Sequence, residues 1–345
     1  NRPTMETVAE RAGVSRALVS LVMNDSPKVS DERRAAVLRA AKDLGYRRNL
    51  HARNLAQQRT QTFGILINDI HNPFFAEVVA GVEKAAADHD YDVIILNGGR
   101  DPERERRAIE TYLQFRVEAL VLIGPRLSDA ELRHAARDVP TVVVAAGGNF
   151  PSTDTITTDD IAGTRLAVEH LVGLGHRNIV HLDGGNNISA DVRRQGFVEA
   201  MNRCGLDGRI ITGGDSGEQA APAIKELLAS KPRPTAILAF NDLLAAGVLS
   251  ALSDTGVDVP GDISVVSIDN TFIAALGHLS LTAVNQPRWE MGAMAVATVL
   301  DRIGDQTSTD EEPGGTPPVA SATHQSLAPN LVVRKSSAPP RTGAQ

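Results

Sequence analysis

Between residues 62 and 270 short apolar runs alternate with segments of helical period, and this alternation restricts the fold more than any other feature. Residues 63–67 (Phe-Gly-Ile-Leu-Ile), 92–96, 119–123, 141–144, 178–182, 236–239 and 263–268 are runs of buried-strand type. Helical patterns lie between them, at about 74–89, 102–115 and 128–137, along the stripe Leu166, Val168, Leu171 and Leu174, and near 190–203, 217–230 and 242–255. Strands that are apolar on both faces, each followed by a helix, predict parallel sheets covered on both sides. Alternation of this length predicts two lobes with a ligand between them, near the carboxyl ends of strands. Residues 305–325, rich in Asp, Glu, Thr, Ser, Gly and Pro, read as a flexible excursion. Residues 331–334 read as a last short strand and 336–345 as a loose tail.

The first sixty residues differ in kind. Thr4 is placed to cap a short helix carrying the apolar stripe Met5, Val8, Ala9 and Ala12. Gly13 stops that helix where a turn needs positive φ, and Ser15 is placed to cap a second. In the second helix Val19, Val22 and Met23 form the inner stripe, and Arg16, Ser20 and Asn24, with Ala17 and Leu21, the opposite face. Two short helices about a glycine turn make either a helix-turn-helix, whose second helix enters the DNA major groove, or an ordinary helical hairpin. Ser30 is placed to cap a third helix from Asp31 to Leu44, packed through Val37, Leu38, Ala41 and Leu44 and ended by Gly45. Residues 50–56 contain helix formers but too little apolar surface for a stable helix alone, so they read as a linker that orders on contact. Charge separates the same two parts. Residues 1–60 hold 12 Lys and Arg against 6 Asp and Glu, a net of +6, although the whole chain carries −7. A basic module on an acidic body is the split expected when only the small part meets phosphates.

Several classes are disfavoured. A chain of 345 residues can hold two or three cored domains, and no run of about 18 apolar residues offers a membrane span. The polar N-terminus does not read as a secretory signal, and the single Cys204 suits a reducing cytosol. Phosphate-loop, dinucleotide-loop, nucleophile-elbow and zinc-helix motifs do not occur, and the nine histidines lack metal-ligand spacing. No catalytic residue, metal or cofactor is therefore expected. A periplasmic solute-binding protein would explain the body equally well, but not the basic helix pair.

The order of parts resembles the LacI/GalR family of bacterial transcriptional regulators. The resemblance is carried by Thr4, Val8-Ala9, Ala12-Gly13-Val14-Ser15, Val19-Ser20, Asn24, Val29-Ser30, Leu44-Gly45-Tyr46-Arg47, Asn49, Ala52 and Leu55. In the body it is carried by Asn72-Pro73-Phe74-Phe75, Glu169-His170-Leu171, Gly175-His176, Arg193, Gly196-Phe197, Phe240-Asn241-Asp242, Asp269 and Gln286. It implies an all-α helix-turn-helix domain at 1–46, a hinge at 47–61, and a two-lobed α/β body of periplasmic-binding-protein type at 62–340. Lobe 1 would be 62–159 and 289–321, lobe 2 160–287 and 322–340, with crossings near 160, 288 and 322. It further implies a cytoplasmic homodimeric repressor on a pseudo-palindromic operator, controlled by a sugar-like effector.

Through the resemblance, Ser15, Ser20, Asn24 and Ser30 are expected at phosphates, Arg16 and Ala17 at base edges with Thr4 and Leu21 also at the DNA, and Asn49, Ala52 and Leu55 on a hinge helix whose leucine wedges the minor groove. Leu18 and Leu21 depart from the family's usual Thr and Arg. Asn72, Arg193, Asn241, Asp269 and Gln286 are expected to bind effector hydroxyls, with Asp69 as a sixth partner and Phe74 or Phe75 as a flat surface. Asp159 and Asp160 could join them, with at least one capping the helix from Ile161. Ala145-Ala146-Gly147-Gly148 replaces a more polar family stretch.

Overall fold

The computed structural model describes residues 3–23, 26–46, 59–147, 150–309 and 321–341, and the chain divides into two compact units, Asn1–Thr60 and Gln61–Gln345. The expected hinge residues Asn49, Ala52 and Leu55, together with Asn24, lie outside the described residues.

The first unit contains α1 (Met5–Ala12), α2 (Arg16–Met23) and α3 (Asp31–Asp43). Thr4 and Thr7 form a reciprocal capping box at the start of α1. Gly13 ends it at φ 66°, a left-handed conformation that a side chain would strain. The Ser15 hydroxyl accepts from Leu18 N at 3.2 Å and so caps α2. Val8, Ala9, Val19, Val22, Val29, Val37, Ala40 and Ala41 close the small core. Two expectations fail here. Leu38 is 50% exposed, because it lies about 100° round the helix from Val37, off the Val37–Ala40–Ala41 face. Ser30 holds the cap position of α3 with extended backbone, but its hydroxyl makes no capping bond.

The second unit is two six-stranded sheets. Lobe 1 has the order β11-β5-β4-β3-β1-β2, all parallel, from β1 (Thr62–Ile67), β2 (Asp92–Asn97), β3 (Ala119–Ile123), β4 (Thr141–Val144), β5 (Asp154–Thr158) and β11 (His324–Leu327). Lobe 2 has the order β12-β10-β9-β8-β6-β7, from β6 (Ile179–Asp183), β7 (Arg209–Thr212), β8 (Ala236–Ala239), β9 (Ser264–Asp269), β10 (Thr282–Asn285) and β12 (Asn330–Val332), of which β12 is antiparallel. Helices α4 (Pro73–Asp88), α5 (Pro102–Phe115) and α6 (Asp129–Asp138) follow the first strands of lobe 1. In lobe 2, α7 (Asp160–Gly173) precedes the first strand, and α8 (Ala190–Arg203), α9 (Ala220–Ala229), α10 (Asp242–Asp254) and the short α11 (Phe272–Ala275) follow β6, β7, β8 and β9. Helix α12 (Arg288–Thr309) then returns the chain to lobe 1 and lies on α4. A Cβ at Gly81 would stand 2.3 Å from the Trp289 carbonyl, and one at Gly292 2.3 Å from that of Val78. Glycine on both sides is what lets these two helices approach so closely.

The C-terminal part departs most from expectation. Residues 305–309 continue α12 and 324–325 belong to β11, so the proposed excursion of 305–325 is too wide at both ends. The third crossing falls between Leu327 and Asn330, not near 322, because β11 extends sheet 1 beside β5 before β12 joins sheet 2. The supposed loose tail is docked through residue 341. Val265 N donates to the Ser336 carbonyl at 2.7 Å, Ala338 N to the Ser264 hydroxyl at 3.1 Å, and Arg341 reaches Asp258 and Asp262. Buried His176 joins Thr235 and Ser264 to the Ala338 carbonyl, so this family-motif histidine holds the tail.

Candidate DNA-reading face and effector cavity

On α2, Val19 and Val22 are fully buried and Leu18 packs partly against the same core, which leaves Arg16, Ala17 and Leu21 outward with Ser20 at their margin. Leu18 thus has a packing role where the family's usual residue is polar. Arg16 lies 3.6 Å from Glu6 of α1, and both side chains are mostly exposed, so the pair is weak and leaves the guanidinium available for other partners. Thr4 and Ser15 spend their hydroxyls on helix caps, with Ser15 at the N-terminus of the outward-facing helix.

In the second unit a cavity of about 40 Å³ lies between the lobes. Of the eight residues expected at the effector, Asn72, Phe74, Phe75, Arg193, Asn241, Asp269 and Gln286 all line it. The sequence separates them widely, but each sits at or just beyond the carboxyl end of a parallel strand or in the first turn of the helix that follows, so the two lobes bring them together. Asn72 and Asn241 accept from Phe74 N at 3.0 Å and Leu244 N at 2.8 Å, so each also caps a helix. The Phe74 and Phe75 rings meet edge to face at 5.5 Å, and both are buried.

Arg193 is the centre of the lobe 2 wall. Its Nε donates to Asp160 at 2.8 Å, its Nη1 to the Phe240 carbonyl at 2.7 Å, and its Cζ stands 4.5 Å over the Phe240 ring. A second carboxylate, Asp269, lies 3.9 Å away and accepts from Gln286 at 2.6 Å. Burial works against the charged guanidinium, but Asp160 and Asp269 outweigh it and raise the Arg193 pKa. Burial dominates at Asp269 and pushes its carboxyl up to about 8, despite Arg193. Asp159 caps α7 through Ala162 N at 2.8 Å, which settles the division of labour with Asp160.

Asp69 does not line the cavity. It lines an adjoining cleft, where its carboxylate accepts from Arg100 Nη2 at 2.7 Å and Nε at 3.1 Å. Arg100 Nη1 reaches across to Asp215 of lobe 2 at 2.6 Å. Asp215 also accepts from Asn187 at 3.1 Å, and its carbonyl from Asn241 at 3.0 Å, so this clasp touches two cavity residues. A second bridge is Arg288, which donates to Glu77 of lobe 1 at 2.8 Å and to the backbone carbonyls of Asp269 and Asn270 in lobe 2. Reading the sequence missed Asn68, Thr158, Asn187 and Arg100. A lone polar residue after a strand carries no local mark that distinguishes it from a solvated loop residue.

Comparison with known proteins places these features together. The family described as bacterial regulatory proteins, lacI family, matches residues 4–49, and that described as periplasmic binding proteins and sugar binding domain of LacI family matches residues 60–316. The HTH-type transcriptional regulator GalR of Escherichia coli K12 is 36% identical over 303 residues, 86% of this chain and 88% of GalR. The ribose operon repressor of the same organism is 34% identical over 310 residues, 88% of this chain and 94% of the repressor. Among solved structures, the lac repressor dimer bound to operator and the anti-inducer ONPF covers 98% of this chain and 100% of its own at 27% identity and TM-score 0.82.

Proposed function

Because the chain belongs to the LacI family of bacterial regulatory proteins, we propose that it is a repressor whose grip on an operator is set by a sugar-like effector bound between the lobes of its body. It would act as a homodimer in the cytoplasm, with two copies of the first unit on a pseudo-palindromic site, and would carry no catalytic group. The single observation that carries this reading is that seven residues from both lobes converge on one polar, aromatic-walled cavity, in a chain whose N-terminal unit is a basic helix-turn-helix.

In this reading Arg16 reads a base edge, Ala17 and Leu21 make apolar contact beside it, and Ser15, Ser20 and Ser30 fix register on phosphates. Thr4 joins the phosphate contacts through the N-terminus of α1. Asn24, Asn49, Ala52 and Leu55 keep the roles given by the family resemblance, the last as a minor-groove wedge. In the body, Arg193, Asn241, Asp269 and Gln286 form the lobe 2 wall and Asn72, Phe74 and Phe75 the lobe 1 wall. At about 40 Å³ the cavity has room for about three waters, so admitting a monosaccharide requires the lobes to part. That movement must stretch the Arg100–Asp215 clasp, which couples ligand entry to lobe geometry.

Selection of bound duplexes from a random pool tests the DNA half. The full chain is expected to enrich a pseudo-palindrome, and Arg16→Ala to bind it more weakly by roughly 1–3 kcal/mol with preference lost at one position per half-site. An unchanged sequence preference would remove Arg16 from the reading face.

A further inference from the structure

The lobe 1 wall contains two polar atoms that nothing among the described residues satisfies. Asn68 Oδ1, just beyond β1, and Thr158 Oγ1, at the end of β5, are buried at the cavity and make no hydrogen bond among the described residues. Their residues are 3% and 6% exposed. Asn68 is held firmly, since its backbone N donates to the Ile123 carbonyl at 3.1 Å and its carbonyl accepts from Arg100 N at 3.0 Å. Buried acceptors without partners are costly, so two of them on one wall of a binding cavity mark where a partner arrives.

The lobe 2 wall defines the chemistry of that partner. Among the described residues the ionisable groups lining the cavity are Arg193, Asp160 and Asp269. The one cation is already engaged by Asp160 at 2.8 Å, with the Asp269 carboxyl 3.9 Å away, so a phosphate or carboxylate would enter beside acidic groups and find no uncommitted cation. Helix N-termini are the usual alternative seat for an anion. Those of α4, α7 and α10 at this cavity are already capped by Asn72, Asp159 and Asn241. That of α8 has no side-chain cap at Ser189, but Ser189 N and Ala190 N already donate to Asn187, and Asp191 puts an acidic group in its first turn. Ala145 and Ala146, where the family is more polar, leave Asn68 and Thr158 as polar groups of lobe 1 beside Asn72 and Thr157, while Phe74, Phe75 and Ile188 supply flat apolar surface.

We propose that Asn68 Oδ1 and Thr158 Oγ1 are specificity contacts of lobe 1, each engaging a hydroxyl of a neutral, unphosphorylated monosaccharide. The inference rests on the sugar-effector reading and adds to it the charge class of the ligand and two residues that select it.

The test is titration calorimetry of the full chain with D-ribose, D-xylose, D-glucose and D-galactose, and with the phosphomonoester of whichever binds. Thr158→Val and Asn68→Leu are expected to weaken the bound sugar by roughly 10- to 100-fold. The sugar-free melting temperature is expected to stay level or rise for Thr158→Val, because an unpartnered hydroxyl is removed, and Thr158→Ser is expected to retain binding. The phosphomonoester is expected not to compete. Unchanged affinity in both variants overturns the contact assignment while leaving the sugar reading intact, and a tighter phosphomonoester overturns the charge class. Failure of all four sugars on the wild-type chain overturns the sugar reading itself, and this inference with it.

Discussion

At the scale of single residues, the cavity is built from groups that do two jobs. Asn72 and Asn241 cap helices with one end of the amide and face the cavity from the cap, which is why their position after a strand was readable: a cap and a cleft residue want the same residue type at the same place. Asp269 carries the clearest physical signature. Burial pushes its carboxyl up to about 8, so the folded chain keeps a proton that the unfolded chain releases near its ordinary value of 3.8. Stability from this group is therefore full at low pH and is lost as pH rises toward about 8. Buried His181 acts in the opposite sense: its pKa is held down to about 4, so stability is lost as pH falls below about 6.5. Between pH 6.5 and 8.5 Asp269 dominates of the two, and its contribution to the stability of the body is expected to fall as pH rises. Asp269→Asn is expected to flatten the profile in thermal unfolding, and a slope that survives the substitution would place the proton elsewhere. Asn68 and Thr158 were not legible, because their meaning lies in the absence of a partner, which only packing reveals. Asp69 looked like a cavity residue and serves Arg100 instead, 31 positions later, a pairing that no local pattern encodes.

At the scale of elements, what was legible followed the strength of the apolar period. The run Ala119-Leu-Val-Leu-Ile123 is buried throughout as β3, and α5 occupies the residues its pattern predicts. The strands that escaped are those without an apolar run. β5, Asp-Thr-Ile-Thr-Thr, is largely buried despite four polar residues, and is held by pairing with β4 and β11 and by Arg302 on Asp154 at 2.8 Å. β7 and β10 are four residues each, and β11 pairs with a strand 169 positions earlier. Such strands are specified by neighbours in the sheet rather than by their own composition. The tail was misread for the same reason: its attachment depends on Ser264, Val265 and His176, and its own Ser, Ala and Pro content resembles that of a free end. Helix α12 had no place in the sequence reading, yet it forms the second crossing and seals lobe 1 through the Gly81–Gly292 approach.

At the scale of the whole molecule, the body is two sheets joined at three crossings, and its closed geometry is held by arginine bridges as well as by any ligand. Arg100 joins Asp69 and Asp215 across the lobes and is only 31% exposed, so removing it costs more than a surface ion pair. Arg100→Ala is expected to lower body stability by about 1–2 kcal/mol and to increase the radius of gyration seen by solution X-ray scattering without sugar. A scattering curve identical to that of the wild type would show that the clasp does not hold the lobes. The same logic links the two units of the chain: a sugar that binds only one lobe arrangement shifts the population, and the operator responds only if its affinity differs between arrangements. The most direct test is fluorescence anisotropy of the full chain on its selected duplex, at fixed salt, with and without the sugar that binds the cavity. A change in operator affinity of about fivefold or more is expected, with log affinity falling linearly as log salt rises in both states. Identical affinities with the cavity saturated would contradict it.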